Sequence, residues 1–420
     1  MAYTLISFIG TGNKTEKSPI GYNETNYRFP DGQHFTTRYF MQAVLKVKNN
    51  IDQLILLGTD TSSWDYLVDA ENDERNETVS LWSDLYDQCE SKEKGGTPIG
   101  ITQGNLERLE KYLTERFGIA VVLRMHTHKV DDDSSKELFD CYTGITELVK
   151  KNNNILFDIT HGFRSMPVLL YQALQYSVSK RSRDVEIIYG ELDQSKTNGY
   201  ARSLSSYWEY SALSGALDVF ESKLDGFRLA DLIADTWEKG SKAIKRLSEI
   251  VQTNFVLQIF DVVRQIDNAV NAYPESAPKH LAKVKDVLLQ IKQLIDENDK
   301  PRSLYRYSEF LYAHKLNVQA VITLQIAVET AIAIRCGNEE AIGNYDWWQN
   351  VGSKKLYDLK GNDWKNIGNS LTHLEVFRNQ IAHGGSKNKD TGGFPQAANI
   401  PNIYESGKRG VENLFKELGI

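Results

Sequence analysis

The sequence predicts an open, doubly wound α/β domain followed by an all-helical region. Over the first 195 residues, short apolar runs alternate with longer amphipathic stretches, and strand signals nearly vanish beyond residue 200. Strand alternating with helix is typical of a sheet covered by helices on both faces. The chain has 420 residues, too many for one ordinary core, so two or three domains are expected.

Five runs rich in Ile, Val, Leu or Phe predict the strands, because buried parallel strands have this near-continuous apolar composition. The runs are residues 3–10 (YTLISFIG), 53–58 (QLILLG), 119–125 (IAVVLRM), 154–160 (NILFDIT) and 185–192 (VEIIYGEL). Helical periodicity predicts helices between them at residues 36–51, 104–118 and 137–151. In the last helix, Leu138, Tyr142, Ile145 and Leu148 share one stripe.

The second half of the chain reads as helical throughout. Long stretches of helical periodicity cover residues 205–224, 254–273, 280–299 and 309–337. Clusters of Pro and Ser at 273–280 and 299–303 predict loops between them. The domain boundary is predicted between residues 195 and 215.

The composition excludes some classes of protein. The net charge of −7 and the pI near 5.7 are unlike a bulk nucleic-acid binder, so any nucleic-acid chemistry needs a local site. Three cysteines, odd in number and far apart, argue against a disulfide framework and a zinc site (Cys89, Cys141 and Cys336). No secretion signal and no run of about 18 apolar residues is evident, so a soluble cytoplasmic protein is expected.

Three loops that follow predicted strands are rich in Gly and hydroxyl side chains. They read GTGNKT (10–15), GTDTSSW (58–64) and THGFRS (160–165). Ligands of open α/β sheets bind beyond the carboxyl ends of the strands, where such loops meet. Arg164 offers a fork-shaped donor to phosphate, and His161 a ring that hydrogen-bonds or stacks. Gly and Thr are also ordinary turn residues, but three such loops together favour a phosphate-bearing ligand.

Other ligand motifs fit poorly. GTGNKT lacks the third glycine of a dinucleotide fingerprint, and the chain has no G-x-x-x-x-G-K-[ST] segment. His126 and His128 stand near an acidic run at 131–133, but no further His or Cys supplies the usual ligand count. That region is interpreted as a strand end and a solvated loop. No metal site is predicted.

The segment RNQIAHGG (378–385) gathers Arg378, Asn379 and His383 at the end of a predicted helix. Asn379 and His383 are four residues apart and share a face, and Gly384 and Gly385 stop the helix. A histidine that titrates near neutral pH beside a permanent cation suits metal-free RNA cleavage. The alternative interpretation is a carboxylate partner for Arg378 and a capping role for His383.

Two segments carry a resemblance to a known family. FRNQIAHG (377–384) resembles the R-x4-6-H motif of HEPN domains, a helical class of metal-independent ribonucleases. ILFDITHGFRSMP (155–167) resembles the signature of CARF domains, the Rossmann-like sensors of CRISPR-associated proteins, and ISFIGTGNK and LILLGTDTSSW resemble their other ligand loops. The chain therefore resembles CARF–HEPN ancillary ribonucleases of type III CRISPR systems.

The resemblance implies a Rossmann-like CARF domain at 1–200, a helical connector at 201–300 and a HEPN ribonuclease domain at 301–420. It implies a homodimer, with higher oligomers left open, that binds a cyclic oligoadenylate as activator, and cyclic tetra-adenylate is favoured. No cofactor is implied for catalysis. The ligand residues implied are Gly10, Thr11, Gly12, Asn13, Thr59, Thr61, Ser62, Thr160, His161, Gly162, Arg164 and Ser165.

The implied activity is cleavage of single-stranded RNA by Arg378, Asn379 and His383, giving a 2′,3′-cyclic phosphate. Glu329, on the stretch 317–334, is a candidate partner for Arg378. Two alternatives stay open: a ligand-sensing regulator without nuclease activity, and a CARF domain that degrades its own cyclic oligoadenylate. No membrane or DNA partner is expected.

Overall fold

The computed structural model describes residues 1–11, 24–90, 100–126, 132–162, 165–178, 184–194, 197–279, 281–358, 365–382, 385 and 396–420. The chain divides into two compact units, Met1–Tyr210 and Ser211–Ile420. The division falls between residues 195 and 215, where the sequence pattern changes. The further boundary near residue 300 stays a prediction.

The described part of the first unit is built on one eight-stranded sheet. Its strands are β1 (Tyr3–Phe8), β2 (Thr25–Arg28), β3 (His34–Thr37), β4 (Ile51–Gly58), β5 (Ala120–Met125), β6 (Asn154–Asp158), β7 (Val185–Leu192) and β8 (Asn198–Ser203). The order across the sheet is β3-β2-β8-β7-β6-β1-β4-β5. The five predicted strands are all present and form its parallel part, β7-β6-β1-β4-β5.

The strands β2, β3 and β8 extend the sheet beyond β7 and were missed by the sequence analysis. They are 4, 4 and 6 residues long, and their sequences TNYR, HFTT and NGYARS are largely polar. β8 pairs antiparallel to β7, β2 parallel to β8, and β3 antiparallel to β2. Residues 36 and 37 therefore belong to a strand, and the helix predicted at 36–51 spans only Phe40–Val47.

Helices cover both faces of this sheet, as the alternating pattern predicted. They are α1 (Phe40–Val47), α2 (Asn76–Glu90), α3 (Gln103–Phe117), α4 (Asp132–Leu148) and α5 (Ser165–Val178). Alternate residues of β1 and β4 enter two separate cores: Leu5 and Leu54 pack with α1 and α3, whereas Ile6 and Ile55 pack with α4 and α5. Strands buried on both faces need apolar side chains at every position, which explains the continuous runs.

The described residues of the second unit form helices and short turns. After α6 (Ser206–Lys223), which begins in the first unit, the helices are α7 (Phe227–Ile233), α8 (Glu238–Thr253), α9 (Ile259–Asn271), α10 (Leu281–Leu294), α11 (Lys300–Ala313), α12 (Asn317–Arg335), α13 (Tyr345–Trp347), α14 (Ser353–Asp358), α15 (Lys365–Ala382) and α16 (Ile400–Leu418). One apolar core runs through them from Ala216 to Phe415.

Helix α12 is the most apolar element of this core. Within the described residues, it alone is long and apolar enough to cross a membrane, with a mean hydropathy of 1.5, although the sequence analysis noted no such stretch. Most of that window, 61%, is buried inside the protein. Leu324, Val328 and Ile332 belong there to the same buried core as Leu371 and Leu374 of α15. Burial among neighbouring helices accounts for its composition without a membrane.

Candidate functional sites

The first candidate site lies at the carboxyl ends of β1 and β6. Helix α1 packs on one face of the sheet and α5, which follows β6, packs on the other. The connections after these two adjacent strands therefore diverge. Such a divergence opens a crevice in which ligands of open α/β sheets bind. Predicted ligand residues follow both strands.

Ser62 of the predicted ligand set holds the loop after β4 against the loop after β1, and Thr59 braces the loop after β4. The Ser62 hydroxyl donates to the carbonyl of Ile9 at 2.9 Å and accepts from the N–H of Thr59 at 2.8 Å. The Thr59 hydroxyl lies 3.2 Å from that of Thr61. Thr59 and Ser62 are buried, whereas Thr61 is half-buried. Thr59 and Ser62 thus have a clear role in shaping the loops, and Thr61 stands nearer the surface.

Ser63, which the sequence analysis did not single out, adds two more contacts between these loops. Its N–H donates to the carbonyl of Gly10 and its hydroxyl to that of Thr11, both at 3.1 Å. These bonds orient the backbone of Gly10 and Thr11, which remain half-buried at the edge of the sheet. The hydroxyl-rich composition of GTDTSSW therefore builds the loop as well as offering ligand contacts.

The loop after β6 is anchored by a buried carboxylate. Asp158 accepts hydrogen bonds from the Ser7 hydroxyl at 2.7 Å and from the N–H of Thr160 at 2.9 Å. Burial raises the pKa of the Asp158 carboxyl, and both donors oppose that shift. The Thr160 hydroxyl accepts from the N–H of Gly190 at 2.8 Å. A lone acidic residue in the apolar run NILFDIT was the signal that could have identified Asp158.

His161 is a buried, neutral side chain in this structure. Its Nε2 accepts a hydrogen bond from the N–H of Phe40 at 3.1 Å, and its ring lies edge-on to Tyr39 at 5.6 Å. Burial lowers the pKa of His161 to about 4. At neutral pH the ring therefore provides no cation for phosphate, and it joins the β6 loop to the start of α1.

Gly162 and Ser165 are exposed at the mouth of the crevice. Gly162 has φ +101°, and a Cβ there would lie 3.0 Å from the Cβ of Phe8. Only glycine adopts this backbone without strain while approaching a neighbour so closely. Gly12, Asn13 and Arg164 lie outside the described residues. The structure thus gathers nine of the predicted ligand residues around the ends of three adjacent strands, β6, β1 and β4.

The second candidate site lies on α15, in the helical unit. Arg378 Nη2 donates to Glu329 Oε1 of α12 at 3.1 Å, and Arg378 Nη1 donates to Asn379 Oδ1 at 2.8 Å. The predicted pairing of Glu329 with Arg378 is confirmed. Both side chains of this ion pair are largely buried, 12% and 16% exposed, so it is shielded from solvent screening.

A further contact extends this pair into the core. Gln325, one turn before Glu329 on α12, donates from Nε2 to Glu329 Oε1 at 3.2 Å. Burial raises the pKa of Glu329, and the Arg378 guanidinium and the Gln325 amide oppose that shift. Gln325, Glu329 and Arg378 thus form a series of hydrogen bonds that fixes one side of the guanidinium. Sequence reasoning did not identify Gln325.

The end of α15 agrees with the predicted stop. The helix ends at Ala382, and Gly385, with φ +78°, donates its N–H to the carbonyl of Gln380 at 2.7 Å. A glycine in the left-handed region is a common way to close a helix. His383 lies outside the described residues, so its role stays a prediction.

Comparison with known proteins shows what the first unit resembles. Residues 4–193 match the family model of the CARF domain of the CRISPR system endoribonuclease Csx1. The N-terminal unit is similar to a CARF domain over these residues. The resemblance read from ILFDITHGFRSMP is therefore confirmed, and so is the predicted fold class of an α/β domain followed by helices.

Two individual proteins are also similar to the chain. A CRISPR-associated protein of Methanocaldococcus jannaschii is 24% identical over 286 residues, 64% of this chain, and the match spans only 44% of that protein's own length. A structure of Enterococcus italicus Csm6 bound to cyclic hexa-2′-fluoro-hexa-dAMP matches 99% of this chain and 95% of that one, at 12% identity. Its TM-score of 0.39 is too low to establish a shared overall fold.

Proposed function

We propose that this protein is a metal-independent endoribonuclease of CRISPR antiviral defence that cleaves single-stranded RNA when its CARF domain binds a cyclic oligoadenylate. One observation supports the proposed nuclease activity. Arg378 and Asn379 lie together on α15 and precede His383 in the sequence, and the largely buried Glu329 holds Arg378 in place. The pair stands in a chain that also carries a CARF domain of the Csx1 type.

The proposed activator is cyclic tetra-adenylate, bound in the crevice of the CARF domain. Half-buried or exposed Gly10, Thr11, Thr61, Gly162 and Ser165 surround it and offer backbone and hydroxyl groups. Such groups suit phosphate and ribose oxygens, and small residues let a large ring approach the backbone closely. A ring of four adenosines is two-fold symmetric, so it fits two crevices that face each other.

A homodimer is therefore part of the proposal, and helix α5 of the CARF domain supports it. The 14 residues of α5 include no charged side chain, yet Val168, Gln172 and Tyr176 form an exposed stripe along it. Charged residues normally cover exposed helix faces, and uncharged, partly apolar patches mark contact surfaces. An uncharged stripe can meet its own copy across a two-fold axis without repulsion between like charges. We place this dimer in the cytoplasm, with no membrane or DNA partner.

The proposed cleavage uses groups of two facing copies of α15. The ribose 2′-oxygen loses its proton to one His383 and forms a bond to the adjacent phosphorus. The bond from phosphorus to the 5′-oxygen breaks, and the other His383 donates a proton to that oxygen. Arg378 stabilises the charge on the pentacoordinate phosphate, and Asn379 donates a hydrogen bond to it. The products are a 2′,3′-cyclic phosphate and a 5′-hydroxyl.

The deciding experiment is cleavage of a fluorophore–quencher RNA in EDTA, with and without cyclic tri-, tetra- and hexa-adenylate. We expect cleavage with cyclic tetra-adenylate that falls at least about a hundredfold in His383→Ala and in Arg378→Ala, because each removes transition-state stabilisation. Both variants should bind the activator as the wild type does.

Four outcomes would contradict the proposal or favour one of its alternatives. Cleavage that survives in His383→Ala would show that the active site is elsewhere. Cleavage abolished by EDTA and restored by a divalent ion would overturn the metal-independent chemistry. Tight activator binding without cleavage of any RNA would favour the regulator, and disappearance of the bound ring on incubation would favour a ring-degrading CARF domain.

A further inference from the structure

A short aromatic segment packs beside the candidate catalytic helix and has no role in the chemistry described so far. It comprises α13, a π turn (Trp348–Gly352) and α14, and reads YDWWQNVGSKKLYD. We refer to residues 345–358 as the aromatic segment. Four of its 14 residues are aromatic, and they divide into a buried anchor and exposed rings.

Trp348 is the anchor that fixes this segment to α15. It is 2% exposed, and its Nε1 donates to Glu375 Oε1 at 3.1 Å. Glu375 precedes Arg378 by three residues and Asn379 by four, so it lies about 4.5–6 Å from them along the helix axis. The point at which Trp348 contacts α15 therefore lies about one helical turn from the candidate catalytic pair.

The local backbone of the segment is well braced. The Asn344 side chain accepts from the N–H of Trp347 at 2.9 Å, and the Asn350 side chain donates to the carbonyl of Asp346 at 2.9 Å. A Cβ on Gly352 would lie 2.6 Å from the ring of Trp348, so the π turn requires glycine there. Single π turns are rare and occur frequently at functional sites.

Two of the three remaining rings are well exposed. Tyr345 is 61% exposed and Tyr357 is 72% exposed. Trp347 lies at the rim of the core, half-buried. Lys354 and Lys355, which lie between Tyr345 and Tyr357 in the sequence, are exposed on α14. The segment therefore presents two well-exposed aromatic rings and two exposed lysines on a locally braced backbone.

Exposed rings interspersed with lysines fit one class of ligand, single-stranded RNA. Unpaired bases stack on aromatic side chains without regard to sequence, and lysines neutralise the phosphates between them. Asp346 and Asp358 balance the two lysines, so stacking rather than charge must supply most of the affinity. An acidic protein can bind RNA in this way because stacking does not require a basic face.

We propose that the aromatic segment is a base-stacking subsite that positions single-stranded RNA for cleavage on α15, with Tyr345 and Tyr357 as its stacking residues. The role of this subsite in positioning RNA rests on the proposed nuclease function. The binding experiment that tests the subsite does not depend on cleavage. The segment binds RNA whether or not α15 cleaves it.

The test measures binding of a labelled, single-stranded 2′-O-methyl RNA to the full chain by fluorescence anisotropy. This RNA has no free 2′-hydroxyl and resists cleavage. Tyr345→Ala and Tyr357→Ala should each raise Kd about tenfold, in line with loss of one stacked base. Tyr345→Phe and Tyr357→Phe keep the ring and should bind as the wild type does. With two lysines near phosphates, the slope of log K against log salt should be no steeper than about −1.4.

Phe255→Ala is the matched control, because Phe255 is an aromatic residue of the same unit with 57% exposure, outside the segment. In the cleavage assay, the two Tyr→Ala variants should raise KM and leave kcat near the wild-type value.

Three results would overturn the inference: no binding of this RNA by the wild type, Ala variants that bind as well as Phe255→Ala, or Ala variants that lose self-association and not RNA. Tyrosine-dependent binding without any RNA cleavage would instead refute the nuclease proposal and leave the subsite standing.

Discussion

At the scale of single residues, the contact between Arg378 and Glu329 has the most direct consequence for activity. A largely buried ion pair holds the guanidinium in one position, and Gln325 holds the carboxylate in turn. Removing one partner of such a pair leaves the other charge uncompensated. Glu329 thus acts as a positioning residue for the proposed reaction.

Glu329→Gln should lower kcat about tenfold to a hundredfold with little change in KM, because a displaced guanidinium no longer meets the transition state. The control is Glu339→Gln, because Glu339 is exposed and lies 3.8 Å from its partner Lys300. This change should leave kcat as in the wild type. Glu329→Asp, which keeps the charge, should recover part of the loss. Equal kcat in Glu329→Gln and Glu339→Gln would remove Glu329 from the site.

His161 makes the N-terminal unit sensitive to acid. Its pKa falls from the ordinary 6.5 to about 4 in the folded state, so below pH 6.5 only the unfolded chain takes up the proton. Stability that is complete above pH 6.5 is therefore lost as the pH falls towards 4, by at most about 1.4 kcal/mol per pH unit.

His161→Gln should abolish this part of the pH dependence, because the glutamine carbonyl still accepts from the N–H of Phe40 without titrating. Calorimetry near pH 7 and near pH 5 measures it: the wild type should lose about 2 kcal/mol more than the variant. Exposed His34 gives the control, His34→Gln, which should follow the wild type. An equal loss in all three proteins would refute the role of His161.

At the scale of whole elements, the sequence predicted those strands and helices that have long apolar patterns. The five parallel strands were predicted because burial on both faces requires apolar residues throughout. β2, β3 and β8 were missed because four to six largely polar residues carry no pattern that separates a strand from a loop. Their pairing partners, not their composition, make them strands.

The same limit applies within the sites. Thr59, Ser62 and His161 were predicted as ligand residues because of the loops in which they stand. The structure shows each of them in a hydrogen bond with another residue of the same unit. Whether they also touch a ligand stays a prediction. Asp158, a lone acidic residue in an apolar run, was missed because its partner Ser7 meets it only in the folded sheet. Gln325 lies one helical turn before Glu329, a spacing visible in the sequence, but its contact gains a role only through the ion pair of Glu329 with Arg378 on α15.

The uncharged stripe of α5 gives the prediction at this scale. Val168→Glu places a charge in the proposed two-fold contact and should convert the dimer to a monomer, because the charge would meet its own copy across the axis. Sedimentation velocity measures this. Val79→Glu on α2, where Val79 is 44% exposed, is the control and should remain dimeric. A Val168→Glu dimer as stable as the wild type would place the contact elsewhere.

At the scale of the whole molecule, the two units have separate apolar cores, and each is assembled from its own half of the chain. The sequence predicted this division from the change in periodicity near residue 200. It did not predict that one continuous core would join the segments assigned to the connector and the nuclease. Helical periodicity shows which face of a helix is buried, but it does not show which other helices that face packs against.

The position of β1 in the centre of the sheet has a consequence for synthesis on the ribosome. β1 is made before β6 and joins it through contacts such as Ser7 with Asp158, 151 residues apart. The sheet therefore stays open until most of residues 1–210 has emerged. At about 5–20 residues per second, residues 211–420 then take about 10–40 s to be made. Nascent chains stalled towards the end of residues 211–420 should already resist protease over the N-terminal unit. Each molecule would thus have a folded N-terminal unit before its Arg378 exists.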